Sequence, residues 1–161
     1  MQAAEYVREL QLQAHPEGGW YAEIFRSDIK IKPNGFSGER AASTAIYFLL
    51  EKGQFSALHR IKSDENWHFY DGGTLEIIEI DLAGNLIITR LGRQILAGEQ
   101  LCYTVKAGHW FGSRPAADSD FSLVGCTVAP GFDFADFEMP SKDWFSKAIP
   151  QHLDVVQAMS R

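Results

Sequence analysis

Between Trp20 and Met139 the chain is a succession of short strand-like runs with no helical interruption: WYAEIFRS, STAIYFLL, FSALHRI, ENWHFY, TLEIIEI, LIITRLG, EQLCYTV, HWFGSR, FSLVGCTV and FDFADFEM. Each is rich in β-branched and aromatic residues, and turn chemistry such as KPNGFSGER and DLAGN separates them. A parallel sheet requires a crossover of a dozen or more residues between strands, usually a helix, and the middle of this chain has none. Roughly ten short strands with this punctuation predict an all-β, antiparallel sandwich or barrel. Ala3, Tyr6, Val7, Leu10 and Ala14 share one helical face, so a helix is expected over 3–14, ended by His15-Pro16 and Gly18-Gly19. The tail after Pro140, and again after Pro150, has helical spacing and should pack outside the barrel.

A length of 161 residues suits one domain with its own core, and 45% hydrophobic with 22% charged residues is the balance of an ordinary globular protein. The whole chain, 1–161, therefore reads as a single domain. A formal charge of −6 with scattered basic residues argues against a nucleic-acid partner. The opening MQAAEYVREL lacks an apolar core of the signal-peptide kind, and no later apolar run approaches the roughly 20 residues of a membrane span. The expectation is a cytoplasmic protein with no membrane partner. Cys102 and Cys126 lie in apolar strands without metal or redox spacing, and buried free thiols are expected. Imperfect alternation in LEIIEI and LIITRL predicts strands covered on both faces, the outer one by a helix or by a second copy, so a homodimer is expected.

The stretch GQFSALHRIKSDENWHFYDGG resembles the first cupin motif, G-x5-H-x-H-x3,4-E-x6-G, with Gly53, His59, Glu65 and Gly72 in register. VKAGHWFGS loosely resembles the second motif, with Gly108 in place and Lys106 where a proline would stand. At closer range HPEGGWYAEIFRS, SALHRIKSDENWHFYDGG, AGHWFGS and APGFDFADFEM are similar to a family of small cupins known as DUF985 or Cupin_5, sometimes labelled sugar epimerases. The resemblance spans residues 5 to 150 or so and implies a double-stranded β-helix. It departs from the general cupin pattern at two ligand positions, where Ile61 and Phe111 replace histidines. His109 comes two residues too early to substitute.

Strand alternation places Glu65, Trp67 and Phe69 inside with His59 and Ile61, and leaves Asn66, His68 and Tyr70 outside. A metal held by His59 and Glu65 would need a third donor, and His68 could turn inward only through a bulge. The resemblance thus implies two chemistries: a divalent metal centre on His59, Glu65 and His68, supporting an oxygenase or isomerase, or a metal-free acid/base site. In the metal-free case His59 and Glu65 are the acid/base pair, as in the nucleotide-sugar epimerases that pair a histidine base with a tyrosine acid; Tyr47 and Tyr103 are the candidate acids. Leu58-His59 resembles the end of their R-G-L-H segment, but Ser56 and Ala57 remove the arginine that would face a nucleotide diphosphate. Trp67, Phe69 and Trp110 are candidate ligand walls, and Glu23, sharing a strand face with Tyr21, points either into the cavity or to solvent. FDFADFEM reads as a strand with Phe132 and Phe134 in the core and Asp136 and Glu138 near the mouth, and His15 reads as no more than a helix end. The function expected is an isomerase or epimerase acting on a small carbohydrate-like or polar ligand. A ligand-binding cupin without chemistry is the alternative beside the metal enzyme.

Overall fold

The structure, a computed structural model, describes residues 1–161. Twelve strands follow the helix α1 (Ala3–Glu9): β1 (Gln13–Ala14), β2 (Trp20–Arg26), β3 (Lys30–Ile31), β4 (Arg40–Ala41), β5 (Thr44–Glu51), β6 (Ser56–His59), β7 (Asp64–Gly72), β8 (Leu75–Ile80), β9 (Leu86–Leu91), β10 (Cys102–Val105), β11 (Trp110–Pro115) and β12 (Phe121–Ala129). Helices α2 (Lys142–Ala148) and α3 (Leu153–Met159) close the chain. The pairing is antiparallel throughout the two main sheets, ordered β1-β2-β5-β12-β7-β10 and β6-β11-β8-β9. The last strand, β12, sits in the middle of the first sheet between β5 and β7, which is the crossing pattern of a double-stranded β-helix.

The two sheets face each other over one apolar cluster that includes Phe48, Leu50, Trp67, Leu75, Ile77, Phe111 and Val124. Trp67 meets Phe48 and Phe111 edge-on, with ring centroids 6.0 and 6.3 Å apart, and plugs the middle of the barrel. The outer face of the second sheet is covered by the tail: Leu58, Ile78, Ile80 and Trp110 pack against Phe145, Ile149, Val156 and Met159. That cover accounts for the imperfect alternation of LEIIEI, where Ile78 and Ile80 face the tail helices and Leu75 and Ile77 face the barrel.

Two expected elements change. Helix α1 ends at Glu9 rather than at 14, because Gln11 takes a left-handed backbone conformation (φ 53°) and Gln13–Ala14 pairs with Tyr21 and Trp20 as an edge strand. FDFADFEM is not a strand: Phe134–Asp136 forms a 3₁₀ turn, started by the Asp133 carboxylate accepting from the Ala135 N–H. The turn is held by Asp136, whose carboxylate takes two hydrogen bonds from the buried Arg40 guanidinium at 2.7 and 2.9 Å. Cys126 is buried as expected, whereas Cys102 is exposed on the outer face of β10. No helix is long and apolar enough to cross a membrane.

The tail helices depend on Phe145, which has no exposed surface and lies 5.0 Å from the Trp110 ring. Phe145→Ala should lower unfolding free energy by about 3–5 kcal/mol, read as a shift of the urea midpoint. An unchanged midpoint would mean that the tail adds nothing to the barrel's stability.

Candidate functional site

At one end of the barrel the Trp67 plug leaves a cavity of about 330 Å³, lined from β2, β5, β6, β7 and β12 and from the loops at 15–17 and 132–134. A bulge shapes its rim. Glu23 faces Ile46 and Arg26 faces Thr44, so three residues of β2 span what two of β5 span, and the extra residue returns Arg26 to the inner face. Glu23 and Arg26 then both line the cavity, joined by two hydrogen bonds of 2.9 and 2.7 Å, while Arg26 Nη1 also donates to the Phe132 carbonyl.

Deeper in, His59 is 3% exposed at the end of β6. Its Nδ1 lies 2.8 Å from the carbonyl of Ala57, which can only accept, so Nδ1 carries a proton. Its Nε2 lies 3.1 Å from Glu17 Oε2. A lone pair and a carboxylate oxygen do not face each other at that distance without a proton between them, so the pair holds one proton. Burial pushes the Glu17 carboxyl up, with His15 opposing the shift, and burial takes His59 down to about 4. On the other side of this carboxyl, Glu17 Oε1 is 3.7 Å from His15 Nδ1, which accepts the Glu17 backbone N–H at 3.2 Å. His15 is thus neutral at Nδ1, and burial lowers its pKa.

Glu17 is placed by the two glycines that follow it. Gly18 and Gly19 take φ values of +117° and +76°, and a Cβ on Gly18 would come within 2.1 Å of the Phe55 carbonyl. The chain doubles back tightly there, and the Ala57 N–H closes the turn by donating to the Glu17 carbonyl at 2.9 Å.

Glu65 enters from β7, in the opposite sheet to His59. It is 8% exposed and raised to about 8, by burial first, then by the nearby Glu17 charge, with a hydrogen bond to Cys126 opposing. The Cys126 thiol is itself pushed well up by burial and by the same two carboxyls, so it is a neutral wall group rather than a nucleophile. Tyr21, Ile46, Ile61, Val128, Phe132 and Phe134 supply the apolar and aromatic wall.

Of the residues singled out from the sequence, the structure brings His59, Glu65 and Glu23 together in this cavity. The others lie elsewhere. Tyr47 is on the outer face of β5, 5.9 Å from Tyr70, because its neighbours Ile46 and Phe48 take the inward positions. Tyr103 points into the barrel beyond Phe111, where its hydroxyl donates to Glu79 Oε2 at 2.6 Å. Trp67 is core plug, Phe69 packs against the same core with Arg93 over its ring, and Trp110 lies outside the barrel under α2. His68 faces outward, between Cys102 and Thr127, because residues 65–68 keep regular register with β12 and the irregularity comes only later, near Tyr70. Asp136 is taken up by Arg40 and Glu138 by Arg60.

A cupin fold raises the question of a metal, and the donor set answers it. Ile61 lines the cavity where one histidine ligand would stand, and Phe111 packs its ring 4.2 Å from His59 where the other would. No three His, Cys, Asp or Glu side chains are gathered as a metal-holding group. The residues present do not fit a divalent metal centre, which requires three or four converging donors.

Sequence reasoning passed over His15 and Glu17. The signal was there in HPEGGW: two polar titratable residues pinned by a glycine pair immediately before the first long strand.

Comparison with known proteins agrees with this architecture. The profile of Cupin_5, described as Cupin superfamily (DUF985), matches residues 4–140. A hypothetical protein from Leishmania major superposes with a TM-score of 0.94 at 36% identity, covering 99% of both chains. A protein from Shewanella oneidensis gives 0.91 at 41% identity, covering 100% of this chain and 99% of that one. A cupin-2 domain from Rhodospirillum rubrum gives 0.58 at 17% identity, over 91% of this chain and 84% of the other, which shows the fold alone. No curated protein matches. The double-stranded β-helix, the motif register around His59 and the near-complete overlap with these two structures together establish that the chain belongs to the Cupin_5 (DUF985) family of the cupin superfamily.

Proposed function

We propose that the protein is a metal-independent isomerase or epimerase acting on a small carbohydrate-like or polar ligand by proton transfer next to a carbonyl group. One observation carries this reading: a buried His59–Glu17 pair sharing one proton, with a carboxyl raised to about 8 on the facing sheet. The pair is the base. Removing a proton from the carbon beside a carbonyl leaves charge on the carbonyl oxygen, and Glu65, protonated at neutral pH, is the acid that supplies a proton there. Proton balance closes, since the pair gains one, Glu65 loses one and the intermediate is a neutral enediol. Returning the proton to the former carbonyl carbon, while the neighbouring enediol hydroxyl gives its proton back to Glu65, isomerises the ligand; returning it to the original carbon, once the enediol has turned its opposite face to the pair, epimerises it. Tyr21, Phe132 and Phe134 offer flat surfaces to the ring. The tyrosine acids of related chemistry have no counterpart here among Tyr47 and Tyr103, and Glu65 takes that role.

The protein is read as a homodimer formed through the outer face of the larger sheet. Ile24 and Tyr70 are exposed there, beside the half-buried Tyr47. Light scattering should give twice the 18.0 kDa chain mass; a single-chain mass would remove the second copy from the account.

His59→Gln and Glu17→Gln should each cut solvent-deuterium incorporation into a turned-over sugar by at least about 100-fold, with the fold retained by circular dichroism. Exchange at the wild-type rate in either variant would dismiss the pair as the base.

The raised Glu65 also makes stability depend on pH. Its folded pKa, about 8, lies above its ordinary value of 4.5, so the native state binds more protons and its contribution is full below 4.5 and lost as pH rises through 8. His59 acts in the opposite sense but lower down, between about 4 and 6.5. From pH 6.5 to 8 the wild type should therefore lose stability in denaturant titrations, and Glu65→Gln should lose less. Parallel curves for the two proteins would show that Glu65 is not buried as an acid.

A further inference from the structure

The charge inventory of the cavity goes further than its chemistry. The His59–Glu17 pair, holding one proton, has zero net charge whether it is written as two neutral groups or as an ion pair. His15 is neutral because its Nδ1 accepts a backbone N–H. Glu65 has no cation among its contacts and is buried, so it stays protonated rather than ionised in a low-dielectric wall. Arg26 is the one lining residue with a permanent positive charge, and it is spent: Glu23 grips it with two hydrogen bonds, and Asp133 stands close by as a second carboxylate. Arg161 lies behind Gly18 against Phe55 and is not part of the wall.

An anionic ligand needs an unspent cation, a helix N-terminus or a set of free N–H donors to repay its dehydration. The cavity offers an apolar wall, hydroxyl and carboxyl donors, and a rim biased towards negative charge by Glu23 and Asp133. Its volume, about 330 Å³, is at the small end of ligand pockets. We propose that this cavity selects an uncharged hydroxy-carbonyl compound of monosaccharide size and rejects its phosphorylated, carboxylate-bearing and nucleotide-linked forms. The carbonyl part rests on the acid/base reading; the selection for neutral charge does not.

The test uses the full chain and matched sets: glucose, glucose 6-phosphate and glucuronate; ribose and ribose 5-phosphate; and fructose and fructose 6-phosphate. Saturation-transfer NMR and calorimetry in deuterated buffer report binding, and the sugar spectra report carbon-bound deuterium in the same samples. At least one neutral sugar should bind at least about tenfold more tightly than its charged partners. Equal or tighter binding of a charged partner, or no neutral sugar binding at millimolar concentration, overturns the proposal. A neutral sugar that binds without taking up deuterium leaves the charge selection standing and sinks the acid/base reading instead. Glu23→Gln removes the carboxylate that is hydrogen-bonded to Arg26 and leaves only the nearby Asp133 opposite it, and affinity for the phosphate or carboxylate partner should then rise at least about tenfold. No gain in that variant would show that the spent Arg26 is not what keeps anions out, and would overturn the proposal as well.

Discussion

Two carboxyl groups buried in one small cavity set the terms for everything around them. Glu17 opposes the ionisation of Glu65, and neither has an arginine or lysine against it within the wall. Leaving both ionised would mean two like charges in a low-dielectric space, at a cost well beyond what a domain of this size has in reserve. The structure resolves this with protons rather than counter-ions: Glu17 shares one with His59, and Glu65 keeps its own. The fixed tautomer of His59 depends on the Ala57 carbonyl, and the position of Glu17 depends on the Gly18-Gly19 turn against Phe55. A few backbone contacts thus decide the charge state of the whole cavity.

The same economy of charge explains how the cupin barrel can lose two histidines without leaving holes. Ile61 fills one vacant ligand position with an apolar wall, and Phe111 turns the other into a ring surface against His59. Phe111 also stands between His59 on β6 and Glu79 on β8, since β11 pairs with both strands. Glu79 is itself buried, yet its two oxygens are already engaged, one by the Tyr103 hydroxyl and one by His109 Nδ1. The barrel therefore contains two polar centres kept apart by aromatic side chains. One is satisfied internally and acts as structure, and the other opens on a cavity with hydrogen-bonding capacity to spare.

The strand inventory was legible because each strand carries its own local pattern, and because the absence of helical crossovers leaves few ways to arrange ten such runs. Alternation also placed Glu65 inward and His68 outward, and the regular register of β7 with β12 agrees. What alternation could not show was β2, where a one-residue bulge after Glu23 reverses the expected face and sends Arg26 rather than Phe25 to the cavity. Nor could it show FDFADFEM, whose strand-like pattern gives way to a 3₁₀ turn because the Arg40–Asp136 pair, 96 residues apart in sequence, fixes the loop from outside. His15 and Glu17 were missed for a related reason: they sit in a turn, where no periodicity says which way a side chain points.

The charge state of its own walls gives the cavity its character. A metal-binding cupin interior concentrates positive charge at its centre and is suited to drawing in anions. Here the corresponding volume holds a proton-sharing His59–Glu17 pair, an isoleucine at one ligand position and a phenyl ring at another, and the single arginine at the rim is bound to its neighbour. Such a cavity has little long-range pull on a charged ligand. What it offers instead is preorganised proton donors and acceptors between apolar and aromatic walls. Hydrogen bonds to a neutral polyhydroxyl ligand are worth most in that setting, and a proton can pass between fixed partners with little rearrangement.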